Sequence, residues 1–406
     1  MARKAPSIKT SEYQKRRAKV LKSLKDSVGI IFAGDGGGEL TSKWRPDPNF
    51  EYLTGITDEP GAAIVFDPTH PVPAKQVVLF LKPLDPEVEK WDGARDFIDS
   101  AMVKKYGIQT IFRTSRIPLV MRIAAQKSRK LACLHQFAHH EAPVSPDLAV
   151  FQKVCQRIPG VSIVDRTELL AKMRSIKSGA ERDCMKEAVR ISALGYDEVL
   201  RTMKPGMTEF DIQETLEHAY RANGSRGPAY NTIAGSGFNG TVLHYGANDQ
   251  VMKDGDLIVI DSGADYRGYA ADVTRTYPVN GRFTKRQKEI YSIVLMALEA
   301  SIRKVKAGCT FEQIDKASRD IIKKAGYGDY FIHGIGHHLG IEVHDITPQG
   351  PLKEGAVITI EPGIYIPDEN LGVRIEDDIV VTKTGHINLS RSIPKSIAAI
   401  EKSMNA

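Results

Sequence analysis

Four short apolar runs punctuate the first 165 or so residues: VGIIFA at 28–33, GAAIVF at 61–66, QVVLFL at 76–81 and KLACLH at 130–135. They alternate with helix-like segments, and that alternation predicts an α/β domain. One helix carries a start signal, because Ser11 and Gln14 make an S-x-x-Q capping box ahead of apolar residues Val20, Leu21 and Leu24. From about Thr167 the texture changes to one long helical stretch, TELLAKMRSIKSGAERDCMKEAVRISALGYDEVLRTM, closed by Pro205 and Gly206. The domain boundary is placed just before it, giving an N-terminal α/β domain over 1–166 and a second, α+β domain over 167–406.

The second half repeats itself. KPGMTEFDIQ at 204–213 lies over KAGCTFEQID at 306–315, matching Lys204 with Lys306, Gly206 with Gly308, Thr208 with Thr310 and Ile212 with Ile314, each 102 apart. Each copy is expected to continue as a helix ending at a glycine, Gly224 or Gly326, and then to enter a β-rich stretch, 255–279 or 355–382. Asp261 lies six residues after Gly255, and Glu361 six after Gly355. Two related halves facing each other would carry their carboxylate hairpins to one pseudo-two-fold centre.

Composition narrows the class. A length of 406 residues agrees with two domains, and 42% apolar with 26% charged residues is ordinary for a globular chain. A net charge of +6 is mild, and the most basic stretch, YQKRRAKVLKSLKD at 13–26, reads as a solvated amphipathic helix, so no nucleic-acid partner is expected. Cys133, Cys155, Cys184 and Cys309 form no C-x-x-C pair, which argues against a zinc ribbon and a disulfide framework and for reduced thiols in the cytoplasm. No apolar run approaches the ~18 residues of a membrane span, and the basic N-terminus is not followed by an apolar region.

The chemistry concentrates in acids and histidines. LIVID is apolar throughout until Asp261, so that aspartate needs a partner or a metal, and Asp272 is expected to return beside it after a turn at 264–268. Glu361 after VITI and Glu376 in VRIEDD are expected to do the same, while Asp377 and Asp378 read as a solvated turn or ion pair. Four converging carboxylates repel, and cations are the natural remedy; with one imidazole added, Mn²⁺, Co²⁺ or Zn²⁺ would suit. HGIGHHLGIEVHD at 333–345 holds four histidines, but its three glycines disfavour a helical two-histidine zinc site. Loop or strand geometry would send one histidine to metal and others to substrate. GSGFNG at 235–240 fits the dinucleotide fingerprint in letters only, since TVLHY follows as a β-like run; a tight turn delivering His244 accounts better for the glycines.

In that order, Asp261, Asp272, His337, Glu361 and Glu376 resemble the ligand set of the dinuclear-metal peptidases of the pita-bread fold, a group that includes methionine aminopeptidases, prolidases and aminopeptidase P. The stretches YQKRRAKVL, NFEYLTG and EKWDGAR resemble the N-terminal domain of aminopeptidase P, and LSRSIPKSIAAIE its tail, so the likeness spans nearly the whole chain. The resemblance implies an α/β N-terminal domain, a pita-bread catalytic domain and two divalent ions, manganese ahead of cobalt or zinc. It implies that Asp261 chelates one ion, that Asp272 and Glu376 bridge both, and that His337 and Glu361 complete the other. It further implies that His244 and His344 stabilise the tetrahedral intermediate and that Glu361 shuttles the proton. Tyr230, His333, Tyr365 and Arg374 then surround the substrate, and Trp91 reaches a neighbouring subunit in a homodimer or homotetramer. His338 stands where relatives carry an aromatic residue and suggests a more polar pocket edge. The implied reaction releases the N-terminal residue from Xaa-Pro peptides. The alternatives are a prolidase confined to dipeptides and a metal-free peptide-binding protein.

Overall fold

All four apolar runs of the N-terminal half become strands of one six-stranded sheet in the computed structural model, which describes residues 5–35, 44–137 and 139–405. Helix α1 (Thr10–Leu24) leads into β1 (Val28–Phe32), α2 (Pro48–Thr54), β2 (Ala63–Phe66), β3 (Val77–Leu81), α3 (Pro86–Asp92) and α4 (Ser100–Tyr106). Strand β4 (Thr110–Arg113), α5 (Ile117–Ser128), β5 (Lys130–Cys133), α6 (Pro146–Cys155) and β6 (Ser162–Asp165) follow. The strand order is β4-β3-β2-β1-β5-β6, with β2 antiparallel to both neighbours and the remaining pairs parallel. Val28, Ile30, Val65, Phe80 and Leu131 pack against Met121 and Ala125 of α5 and Phe151 of α6. These strands are covered by helices, so they read as unbroken apolar runs.

Helix α1 corrects two expectations. It starts at Thr10 with Lys9 as N-cap and no side-chain cap bond, so Ser11 lies inside the first turn and the S-x-x-Q box does not form. Its basic face is not wholly solvated either. Arg16 and Arg17 are buried and donate to the carbonyls of Tyr52, Leu53, Tyr106 and Gly107, closing the open ends of α2 and α4.

The described chain divides into two compact units, Ile8–Met173 and the residues from Arg174 onward together with residues 5–7, and α7 (Thr167–Arg174) ends at the division. The long helix expected from 167 onward is two helices, because Ser178 and Glu181 form a capping box that opens α8 (Gly179–Thr202). The unit from Arg174 continues with α9 (Glu209–Ala222), β7 (Gly227–Pro228), β8 (Ile233–Ser236), β9 (Leu257–Asp261), β10 (Ala264–Tyr266), β11 (Tyr269–Ala270) and β12 (Thr274–Pro278). The second half brings α10 (Lys285–Lys304), α11 (Phe311–Lys324), β13 (Val357–Ile360), β14 (Gly363–Ile366), β15 (Leu371–Arg374), β16 (Asp377–Val381), β17 (His386–Asn388) and α12 (Ile397–Met404).

The repeat is visible in the backbone. Thr208 and Thr310 each cap a 14-residue helix through a capping box, and the glycines after those helices, Gly224 and Gly326, both have φ of +89°. In β9/β12 Asp261 stands opposite Thr274, and in β13/β16 Ile360 stands opposite Asp377, which puts Glu361 opposite Glu376 one step beyond the ladder. The counterpart of Glu376 is therefore Thr274, and that of Asp272 is Arg374, each 102 apart. The two hairpins carry their second carboxylates at different positions, not at equivalent ones as expected.

Candidate active site

Strand ends and one loop assemble the site within the second unit. Asp261 closes β9, Asp272 lies in the break between β11 and β12, Glu361 follows β13, and Glu376 sits between β15 and β16. The HGIGHHLGIEVHD segment is not helical; it runs as loop, with single bridges from His338 to Asp345 and to Ile358. Gly336, at φ +153°, lies so close to β13 that a Cβ there would stand 2.1 Å from the Thr359 carbonyl oxygen. That approach lets the His337 N–H reach Thr359 Oγ1 at 3.1 Å.

His337 points into the carboxylates. Its Nδ1 faces the His338 carbonyl oxygen at 3.0 Å, so in the neutral ring the proton sits there and Nε2 presents its lone pair. Nε2 lies 3.4 Å from Asp272 Oδ2 and 3.6 Å from Glu361 Oε1. Donor atoms of Asp272, His337 and Glu376 all fall within 4.8 Å of one another. The Tyr230 hydroxyl is 2.5 Å from Asp261 Oδ1 and 2.6 Å from Asp272 Oδ1, sharing its proton between them.

A chain of hydrogen bonds frames this cluster. Arg374 donates to Asp261 Oδ2 at 2.8 Å and to the Tyr365 hydroxyl at 3.1 Å. Tyr365 then donates to His333 Nε2 at 2.8 Å, and His333 Nδ1 donates to the Gly334 carbonyl at 2.8 Å. That sequence fixes His333 as the neutral Nδ1–H tautomer, in keeping with burial that pushes it down to about 4. His344 stacks on His337 with ring centroids 4.0 Å apart. His244 depresses both His333 and His344 electrostatically, so it stands within reach of each.

The electrostatics call for a cation. Burial holds the Glu376 carboxyl well above the usual carboxylate range, and Asp272, Glu361 and Asp261 add to the rise. Burial lifts Glu361 to about 7, with His337 pulling it down and Asp272 pushing it up. Asp261 is raised by burial despite Arg374. Burial alone would depress His337, but Asp272 and then Glu361 outweigh it and hold it at about 9. Left alone, the cluster retains protons; a divalent ion replaces them, and the oxygen-rich donors with one imidazole fit such an ion.

Several neighbours were read differently from the sequence, or not at all. Asp377 and Asp378 are both buried: Asp377 makes an ion pair, one of the two readings its sequence allowed, with Arg275 at 2.8 Å and with Lys395, while Asp378 accepts from the Asp272 N–H at 3.2 Å. Arg275 also donates to the Glu376 carbonyl at 2.5 Å, and Thr274 Oγ1 to Glu376 Oε2 at 2.7 Å. Asp345 pairs with Arg174 at 2.5 Å and Lys177 at 3.0 Å, fastening the loop that ends in His344. The expectation for His338 fails: it is buried and turns edge-on to Phe311 of α11 at 5.7 Å, into the packing and not the pocket edge, because consecutive extended residues face opposite ways. TVLHY is also not a strand. Strand β8 precedes the glycine turn, and a 3-10 turn at Gly237–Thr241 leads to an exposed His244. Trp91 belongs to the other unit, on α3, and is 88% exposed.

Comparison with known proteins gives this arrangement its context. Residues 183–383 match the family model described as metallopeptidase family M24, and residues 13–132 the one described as aminopeptidase P, N-terminal domain. The chain is 32% identical to the Xaa-Pro aminopeptidase of Haemophilus influenzae over 97% of each chain. It superposes on Escherichia coli aminopeptidase P, solved as a variant in complex with substrate, with a TM-score of 0.88 and 31% identity over 98% of this chain and 99% of that one. It is also 39% identical to the Xaa-Pro dipeptidase of Pyrococcus furiosus, over 55% of this chain and 66% of that protein.

Proposed function

The chain belongs to metallopeptidase family M24, and from that premise we propose that it is an Xaa-Pro aminopeptidase that releases the N-terminal residue from peptides with proline second. The observation that carries this over dipeptide hydrolysis is coverage. The aminopeptidase likeness runs over 97% of both chains, N-terminal domain included, whereas the dipeptidase likeness covers 55% of this chain. Proline fixes φ and removes the amide donor, so an enzyme for this bond needs a shaped pocket in place of backbone reading.

Asp261, Asp272, His337, Glu361 and Glu376 would hold two divalent ions, with manganese first, then cobalt or zinc. When bound, the ions supply Lewis acidity that acidifies a water and polarises the scissile carbonyl. The protein's own groups do the rest. Glu361 takes the proton of the attacking water and passes it to the departing proline nitrogen, which leaves as a neutral amine. His244 and His344, both exposed, would donate to the oxygen on which negative charge develops. Tyr230, kept protonated by burial and by the carboxylates around it, fixes the separation of Asp261 and Asp272. The Arg374–Tyr365–His333 chain holds the wall against which the substrate lies. The four free cysteines accord with a cytoplasmic home, and no helix of the described residues is long and apolar enough to cross a membrane.

The deciding experiment compares an Xaa-Pro dipeptide with a longer Xaa-Pro-Xaa peptide, using enzyme stripped by chelator and reloaded with Mn²⁺. Hydrolysis of the longer peptide with kcat/KM at or above that of the dipeptide is expected. Activity confined to the dipeptide would replace this reading with the prolidase one.

A further inference from the structure

The two histidines assigned to the developing oxyanion, His244 and His344, are 100 residues apart, as are Asp261 and Glu361. They ride on pseudo-equivalent loops, yet the loops are held by unlike devices. The His344 loop is fastened by ion pairs from Asp345 to Arg174 and Lys177. The His244 loop is fastened by Asn248, which bonds Ala234, Gln213 and Thr232, and by one carboxylate that makes no ion pair among the described residues.

That carboxylate is Glu209, the first residue of α9 and fully buried. Its Oε1 accepts from the Ser236 N–H at 2.7 Å, Ser236 Oγ at 2.8 Å and Asn239 Nδ2 at 3.1 Å. Its Oε2 accepts from the Tyr245 hydroxyl at 2.8 Å and the Gln250 N–H at 3.1 Å, and its own N–H donates to the Gln250 carbonyl at 2.9 Å. Among the described residues no Lys, Arg or His pairs with it. Burying an ion without a counter-ion is costly unless its lone pairs are filled, and here neutral donors fill them. The donors come from both ends of segment 236–250, with His244 between them and beside Tyr245. The His244 side chain makes no hydrogen bond of its own among the described residues, so its position is set by its loop.

The counterpart of Glu209 in the other half, 102 residues on, is Phe311, which packs on His338. The fold therefore tolerates an apolar residue at this place, and the acid answers to a local need. We propose that Glu209 is a positioning residue for the reaction: it holds the 236–250 loop so that His244 meets the oxygen of the scissile carbonyl. This rests on the reading of His244 as an oxyanion donor.

The test is a double-mutant cycle on the metal-loaded enzyme with an Xaa-Pro-Xaa peptide, metal content and melting temperature being measured alongside. Glu209→Gln keeps the shape but turns one acceptor into a donor facing donors. It is expected to lower kcat/KM by about 10- to 100-fold, mostly in kcat, with metal content unchanged. In the His244→Ala background it is expected to add less than about 2-fold, because two residues acting through one group are not additive. Full multiplication of the two losses, or no loss from Glu209→Gln alone, overturns the proposal. A His244→Ala enzyme as active as wild type overturns instead the reading of His244. Should Glu209→Gln fail to fold, Tyr245→Phe removes one donor and leaves the carboxylate intact. Its loss of about 3- to 10-fold must likewise vanish without His244.

Discussion

At the scale of single residues, the site stores a conflict that either protons or a cation relieve, and this gives the metal-free protein an unusual pH dependence. Glu361 sits at about 7 in the fold against 4.5 unfolded, and His337 at about 9 against 6.5. Both are raised, so each contributes stability that is complete below its unfolded value and is lost as pH rises through its folded one. The chelated protein is therefore expected to lose melting temperature steadily between pH 6 and pH 9. Added Mn²⁺ should restore it most at the upper end, where the ligands are already deprotonated. Calorimetry across that range checks the point; a chelated protein that gains stability over the same interval contradicts it. The ligand candidates were legible because each carries a local oddity, such as an acid ending an all-apolar strand or a histidine among glycines. Arg275, Asp378 and Glu209 were not. A buried charge whose partner lies about 30 to 100 residues away leaves no trace in its own neighbourhood.

At the scale of elements, caps and clamps decide what the pattern leaves open. The helical texture predicted one helix from 167, and the S-x-x-Q motif a cap at Ser11; the backbone starts helices at Thr10 and Gly179, where only the second has a capping box. The paired boxes at Thr208 and Thr310 followed the repeat, because a matched offset records the same turn twice. The loop 333–345 could not be drawn from its letters, since its course is set by remote ion pairs. Asp345 is buried between Arg174 and Lys177, whose charges overcome burial and hold its carboxyl below the usual range. Asp345→Ala takes the ion-pair partner from the buried Lys177 and leaves Arg174 to Glu342, and should cost ~3–5 kcal/mol of stability. Denaturant unfolding measures this, and a loss under about 1 kcal/mol, the size of a surface pair, would mean that the ion pairs are not what holds the loop.

At the scale of the whole molecule, the segment 84–98 of the N-terminal unit leaves several large apolar side chains exposed. Trp91 is 88% and Phe97 76% exposed, and Leu84, Val88 and Ile98, within seven residues of Trp91, are each more than a third exposed. Burying one such aromatic side chain removes about 150–250 Å² from water, so a segment this rich in exposed apolar side chains is the first place to test for a contact. A symmetric self-association would cover the same patch on every copy. Light scattering after size exclusion is expected to give two or four times 44.8 kDa for the native protein, and 44.8 kDa for the Trp91→Glu, Phe97→Glu double variant. If Trp91 also enters the neighbouring copy's cleft, as the resemblance implied, the monomeric variant should keep its metal and show a raised KM with kcat little changed. A monomeric native protein removes the assembly, and a monomeric variant with native KM removes Trp91 from the substrate site while leaving the assembly in place.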